Sequence, residues 1–185
     1  VLSILIVEDE PLFAQTLRHL VELNPMYRVI AVADDSDSAL AAVEERQPDL
    51  ALVDLQLANG STGFPVAVRL HELGVPCLFT TGKAPSFPMP DLALGVLVKP
   101  FSQDDLVRAL KLAEDNIRGR EGLQLRPNRP ENLRVYAEEQ ARVRIETTEL
   151  LPTPDRSSAR RRLRDRAGRV WRKLKRSPAK AGVQS

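Results

Sequence analysis

The stretch Leu50-Ala-Leu-Val-Asp54 limits what this chain can fold into more than any other part of it. Four apolar residues without polar alternation suit a strand covered by helices on both faces, as in a parallel sheet, and the run stops abruptly on a carboxylate. Asp54 is thereby placed at a strand's carboxyl end, the edge at which open parallel α/β sheets bind ligands. A solitary Asp there would only end the strand or cap a turn. Here other apolar runs end on charged and hydroxyl groups as well.

From the N-terminus, the pattern alternates strand and helix. Leu2 to Val7 reads as a strand running into Glu8-Asp9-Glu10, and Pro11 suits the first turn of a helix to about Leu23. Leu12, Leu17, Leu20 and Val21, with Phe13 beside them, are expected to form its buried face. Arg28 to Val32 is a second strand, and Asp35 or Ser36 caps a helix to about Arg46 with Leu40 and Val43 inward. Beyond Asp54, a loop to Thr62 leads into a helix over 63–73 and a strand from Cys77 to about Thr80. Lys83 to Leu94 carries Pro85, Pro88 and Pro90. At about 3 kcal/mol per internal proline, that segment cannot hold a regular helix. Gly95 to Val98 is a fifth strand before Lys99-Pro100, and Ser102 with Asp105 opens a last helix to about Arg118.

Five strand-and-helix units with one degraded helix imply an open, doubly wound parallel sheet. Right-handed crossovers put the ends of strands one, three, four and five on one edge, collecting Glu8, Asp9, Asp54, Thr81 and Lys99. Carboxylates crowded there repel one another unless something positive sits among them. A hard divalent cation with oxygen ligands, beside Lys99, meets that need.

Val7-Glu8-Asp9, Asp54, Thr81-Gly82 and Lys99-Pro100-Phe101 resemble the receiver domain of two-component response regulators, over roughly residues 1–118. The resemblance implies a flavodoxin-like fold and a phosphoryl group received on Asp54 from a histidine kinase or phosphotransfer protein. It implies Mg²⁺ held by Asp9, Asp54 and the backbone carbonyl of Gln56, with Glu8 acting through water. Thr81 and Lys99 would contact the phosphoryl oxygens, and the Lys99-Pro100 peptide is expected to be cis. The chemistry suits the residue types. In-line phosphoryl transfer asks a protein mainly to position groups and offset charge, and a carboxylate nucleophile gives a labile acyl phosphate that can be hydrolysed to reset a switch.

Two features depart from the family. Receivers usually carry an aromatic residue three positions before the lysine, where this chain has Val96, and the proline-rich segment stands where the family's fourth helix belongs. With Phe79-Thr80-Thr81-Gly82, these features resemble a divergent subgroup with a Phe-x-Thr-Gly motif and a reduced fourth helix.

Composition bounds the remainder. The 185 residues include one cysteine, which excludes a disulfide framework or a cysteine-rich zinc site, and Cys77 reads as a reduced core thiol. His19 and His71 read as surface residues of helices without metal-ligand neighbours. No apolar run approaches the ~18 residues of a membrane span, and a soluble, cytoplasmic protein is expected. The formal net charge of +2 conceals an asymmetry: residues 1–120 hold ten basic against seventeen acidic side chains, and residues 156–185 hold twelve against one.

The expected organisation is a receiver at 1–120, a linker at 121–155 that is partly helical or disordered, and a basic amphipathic tail at 156–185. Leu133 to Leu150 could form a short helix, although Arg142 to Thr148 could equally be extended. Leu163, Val170, Trp171 and Leu174 give the tail an apolar stripe that folds mainly on contact. The contacts it suits, in order, are a protein or the receiver itself, an anionic membrane surface, and nucleic acid. The expected function is a phosphoacceptor signalling protein rather than an enzyme, passing its signal on through a protein contact. An Mg²⁺-dependent aspartyl-phosphate phosphohydrolase is the alternative, but it normally carries a second aspartate two residues after the nucleophile, where Gln56 stands. A nucleic-acid-binding regulator acting through the basic tail is the other, although no helix-turn-helix pattern follows the receiver.

Overall fold

The structure is a computed structural model, and it describes residues 1–57, 62–119 and 130–136. All of these fall in one compact unit, Val1–Arg144. The order of elements is β1 Leu2–Val7, α1 Pro11–Glu22, β2 Tyr27–Ala33, α2 Ser36–Glu45, β3 Leu50–Val53, α3 Gly63–Glu72, β4 Cys77–Thr81, β5 Gly95–Val98, α4 Gln103–Ile117 and β6 Leu133–Val135. The sheet runs β2-β1-β3-β4-β5-β6. Its first five strands are parallel, in the doubly wound order expected, and β6 joins β5 antiparallel.

β3 is buried along its whole length because alternate side chains enter two separate cores. Leu50 and Leu52 face α1 and α4, where they meet Leu17, Val21, Leu106 and Leu110. Ala51 and Val53 face the α2 and α3 side, with Ala39, Val43, Val66 and Leu70. Each fully buried Leu removes enough apolar surface from water to contribute about 1.5–3 kcal/mol. Helix ends follow local chemistry. The Asp35 side chain accepts from the Ser38 N–H at 2.8 Å, and Ser102 pairs reciprocally with Asp105, so both α2 and α4 start on capping boxes.

Several expectations need correction. The buried face of α1 is Ala14, Leu17 and Val21, with Phe13 and Leu20 partly buried, whereas Leu12 is 75% exposed. The inward residues of α2 are Ala39 and Val43, and Leu40 is only half-buried. Leu133 begins a strand, not a helix, and among the described residues the sheet therefore has six strands. The remainder of the 121–155 linker apart from 130–136, and the whole 156–185 tail, lie outside the described residues. Lys83 to Leu94 contains no regular helix, in keeping with its prolines. Cys77 is buried in β4 and its thiol is pushed up to about 12 by burial, as a core thiol's should be. No helix among the described residues is long and apolar enough to cross a membrane.

Candidate functional site

The sheet register builds the site. β1 and β3 pair Val7 with Val53, and one step further the Asp54 N–H donates to the Val7 carbonyl at 2.9 Å. The Glu8 N–H donates to the Ala33 carbonyl at 2.9 Å, so the ladder carries Glu8 alongside Asp54 just past the strand ends. On the other side, Thr81 pairs with Val98, and the Lys99 N–H donates to the Thr81 carbonyl at 2.8 Å. Four strands thereby deliver two acids, an ammonium and a hydroxyl to one edge, as their places at the ends of apolar runs imply.

Glu8, Asp9 and Asp54 converge, each offering a carboxylate oxygen within 4.8 Å of the others. Glu8 and Asp54 are buried and Asp9 is half-buried. Lys99 Nζ donates to Asp54 Oδ2 at 2.7 Å and to Glu8 Oε2 at 2.8 Å. Burial works against the Lys99 charge, but these bonds and the charges of Asp54 and Glu8 outweigh it and hold the ammonium above its usual range. For Glu8, burial pushes the carboxyl up, and the bond and charge of Lys99 only partly counter it.

Three carboxyl groups against one ammonium leave an excess of negative charge. The donor set there is oxygen alone, the chemistry that a hard divalent cation such as Mg²⁺ takes. The residues present therefore fit the ion implied by the sequence. Gln56 is tied to the same group, since its backbone N–H donates to Asp54 Oδ1 at 2.8 Å, while its side chain is exposed near Gly82. Thr81 is fully buried, and its Oγ1 accepts a long 3.5 Å bond from the Lys83 N–H. The Lys99-Pro100 peptide is cis.

Three features of the site carry little signal in the sequence. Lys99 Nζ sits 4.0 Å above the centre of the Phe13 ring, and that ring meets Phe101 edge-on at 6.0 Å. Phe13 lies in the first turn of α1, and no local sequence pattern marks its approach to the end of β5. Glu8 bonds Lys99 directly. Gly63, at the start of α3, lies so close to the Asp54 carbonyl that any Cβ would overlap it, so the helix can begin there only with glycine.

Comparisons with known proteins agree with this geometry. The chain is 36% identical over 118 residues to the positive alginate biosynthesis regulatory protein of Pseudomonas aeruginosa, a match covering 60% of this chain and 47% of that one. It is 40% identical over 104 residues to the phyllosphere-induced regulator PhyR of Methylorubrum extorquens, covering 54% of this chain and 38% of the relative. The chain thus spans about half the length, or less, of these relatives. Among solved structures, a CheY-like response regulator receiver domain protein from Methanospirillum hungatei matches with a TM-score of 0.58 at 25% identity, covering 65% of this chain and 98% of that one. The PhyR response regulator from Brucella abortus matches with a TM-score of 0.51 at 33% identity, over 60% and 46%. The model of the response regulator receiver domain spans residues 4–111, more than half of the 185, and takes in all four charged residues of the acidic edge; this chain belongs to that family.

Proposed function

We propose that this protein is a phosphorylatable response regulator of the cytoplasm, and that Asp54 takes a phosphoryl group from a histidine kinase or phosphotransfer protein. The observation that carries the reading is the pairing of Asp54 Oδ2 with Lys99 at 2.7 Å within a cluster of three carboxyl groups. A structural acid at a strand end has no need of such a setting.

In the proposed step, an Asp54 carboxylate oxygen attacks the phosphorus of a phosphohistidine. The new O–P bond forms as the P–N bond breaks, and the departing imidazole keeps the electron pair and takes a proton from solvent. Lys99, already bonded to Asp54, would pair with an oxygen of the transferred group, and the Thr81 hydroxyl would donate to another. Glu8, Asp9, Asp54 and the Gln56 carbonyl would hold Mg²⁺, which when bound offsets the negative charge of the incoming phosphoryl group. Hydrolysis resets the protein: water attacks phosphorus, the bond to Asp54 breaks, and inorganic phosphate leaves. Gln56 stands where a hydrolase would keep its second aspartate, which favours a phosphoacceptor over an enzyme.

The signal then passes through a protein contact. The basic segment from Arg156 is proposed to supply part of that contact, with an anionic membrane surface as its second choice. Trp171 emission on addition of anionic vesicles, duplex DNA and a separately expressed receiver distinguishes these surfaces, and no shift with any of them removes the tail from the account.

The acceptor assignment is tested by transfer from histidine kinases of the source organism, autophosphorylated with labelled ATP. Rapid transfer from at least one to the native chain and none to Asp54→Asn is expected. Equal labelling of the variant overturns the assignment.

A further inference from the structure

We propose that residues 130–136 form a strap that positions Lys99, and that docking of this strap and phosphorylation of Asp54 favour each other; the inference rests on the phosphoacceptor reading above.

The strap begins with a turn in which the Leu133 N–H donates to the Pro130 carbonyl at 3.1 Å. That turn aims Asn132 at the backbone on either side of Lys99. The Asn132 carbonyl accepts from the Val98 N–H at 2.9 Å, and its Nδ2 donates to the carbonyls of Val98 and Pro100, each at 3.2 Å. Flipping the amide would set its oxygen against two acceptors, so the donor orientation is fixed by its surroundings. Its Oδ1 is buried with no hydrogen-bond partner among the described residues, a cost accepted to keep Nδ2 on those two carbonyls. Thr81 holds the Lys99 N–H from the β4 side. The backbone that carries the site's ammonium is therefore clamped between β4 and the strap.

The rest of the strap is built into the fold as well. β6 pairs Leu97 with Leu133, Val96 with Arg134 and Gly95 with Val135, and the Tyr136 N–H donates to the Leu94 carbonyl at 3.0 Å. A side chain at Gly95 would collide with the Arg134 carbonyl oxygen, and all the nearest atoms to that imagined Cβ belong to β6. Glycine at the head of a strand costs backbone entropy, and close approach of β6 is what it permits here. Leu133 and Val135 enter the α1 and α4 core, while Tyr136 turns to the opposite face and meets Phe79 edge-on at 6.5 Å. Tyr136 thereby fills space beside Val96 on the face that the irregular segment Lys83 to Leu94 leaves without a regular helix.

The strap thus touches β4 through Phe79 and the Lys99 shoulder through Asn132. With the strap docked, Lys99 Nζ lies within 2.8 Å of both Asp54 and Glu8, already at the acceptor. Holding it there lowers the cost of assembling the charge that the transferred group needs. Where Lys99 also pairs with the phosphoryl group in the product, linkage between the two equilibria gives the reverse effect, and phosphorylation strengthens the docking of 130–136.

The test uses the full chain with acetyl phosphate and Mg²⁺. Phosphorylation is followed by intact mass in the native protein, Asn132→Ala, Asn132→Asp, Gly95→Ala and Asp54→Asn. We expect Asn132→Ala and Gly95→Ala to slow labelling at saturating donor about fivefold or more, through loss of Lys99 positioning. Asn132→Asp keeps the shape but loses the donor, and it should be as slow as Ala. In parallel, hydrogen exchange at the Val98 and Tyr136 amides should slow on phosphorylation of the native chain and stay unchanged in Asp54→Asn, a response that a merely structural strand would not give. Native rates in Asn132→Ala and Gly95→Ala, or recovery in Asn132→Asp, overturn the strap while leaving the acceptor reading intact. Unchanged exchange at Val98 and Tyr136 in a fully labelled native chain overturns the coupling. Failure of the native chain to take any label overturns the acceptor reading, and the strap proposal with it.

Discussion

Lys99 Nζ lies 2.7 Å from Asp54 Oδ2, although 45 residues separate the two in the chain. The parallel register of β3, β4 and β5 joins them, and their burial gives the pair its strength: the Asp54 side chain is 6% exposed and that of Lys99 20%. Glu8 shares the same ammonium. One cation therefore serves two buried acids, with Asp9 close by as a third.

Removing that cation leaves buried carboxylates without compensation. Lys99→Met is expected to lower unfolding stability by about 1–3 kcal/mol in magnesium-free buffer, at or below the usual cost of breaking a buried pair because the site opens toward solvent. Millimolar Mg²⁺ should recover more stability in the variant than in the native chain. Denaturant melts with and without Mg²⁺ check this, and equal recovery in both proteins counts against the acids forming a cation site.

Stability at high pH should depend on Tyr27. Its hydroxyl donates to Glu114 Oε2 at 3.3 Å, and burial, followed by the Glu114 charge and that bond, pushes it up to about 12 from its ordinary 10. A raised pKa in the folded state means that the contribution is whole below pH 10 and is lost as pH climbs from 10 through 12. Lys99, also raised, adds to the decline above 10.5. Tyr27→Phe should flatten the stability curve over this window without altering Lys99's share. A native curve that is already flat from pH 10 to 12 would contradict the assignment.

Gln56 follows Asp54 by two residues, and Lys83 follows Thr81 by two. Gln56 bonds Asp54 through its backbone and exposes its side chain beside Gly82, while the Lys83 N–H meets the Thr81 hydroxyl. We propose that both hinder the water that would hydrolyse an acyl phosphate at Asp54. Replacing both with Ala should shorten the lifetime of that phosphate severalfold, on the order of 1 kcal/mol in barrier. Phosphate release after removal of the donor reads this directly, and an unchanged half-life sets the idea aside.

The sequence revealed the acidic edge because each of its members ends an apolar run, and a buried parallel strand announces itself by that lack of alternation. Asp54 after Leu50–Val53 and Lys99 after Gly95–Val98 are cases where pattern and register coincide. Helix faces were less legible. Hydrophobicity points Leu12 inward, but the helix turns Ala14 inward instead, and a small residue beside bulky neighbours carries little signal. β6 leaves no pattern of its own, because three residues are too few to show a period and Pro127 and Pro130 before them read as linker. Its trace was elsewhere, in the glycine that opens β5. The Phe13 contact with Lys99 depends on packing between α1 and the β5 end, which no local pattern encodes.

The central claim is that Asp54 alone carries the phosphoryl group. The full chain should be incubated with acetyl phosphate and Mg²⁺, reduced with borohydride so that an acyl phosphate becomes homoserine, and mapped by peptide mass. Homoserine at position 54 and at no other acidic residue, absent when Mg²⁺ is omitted or Asp54 is replaced by Asn, is the result predicted. Homoserine at Glu8 or Asp9 in place of Asp54, or labelling of Asp54→Asn equal to that of the native chain, would contradict it.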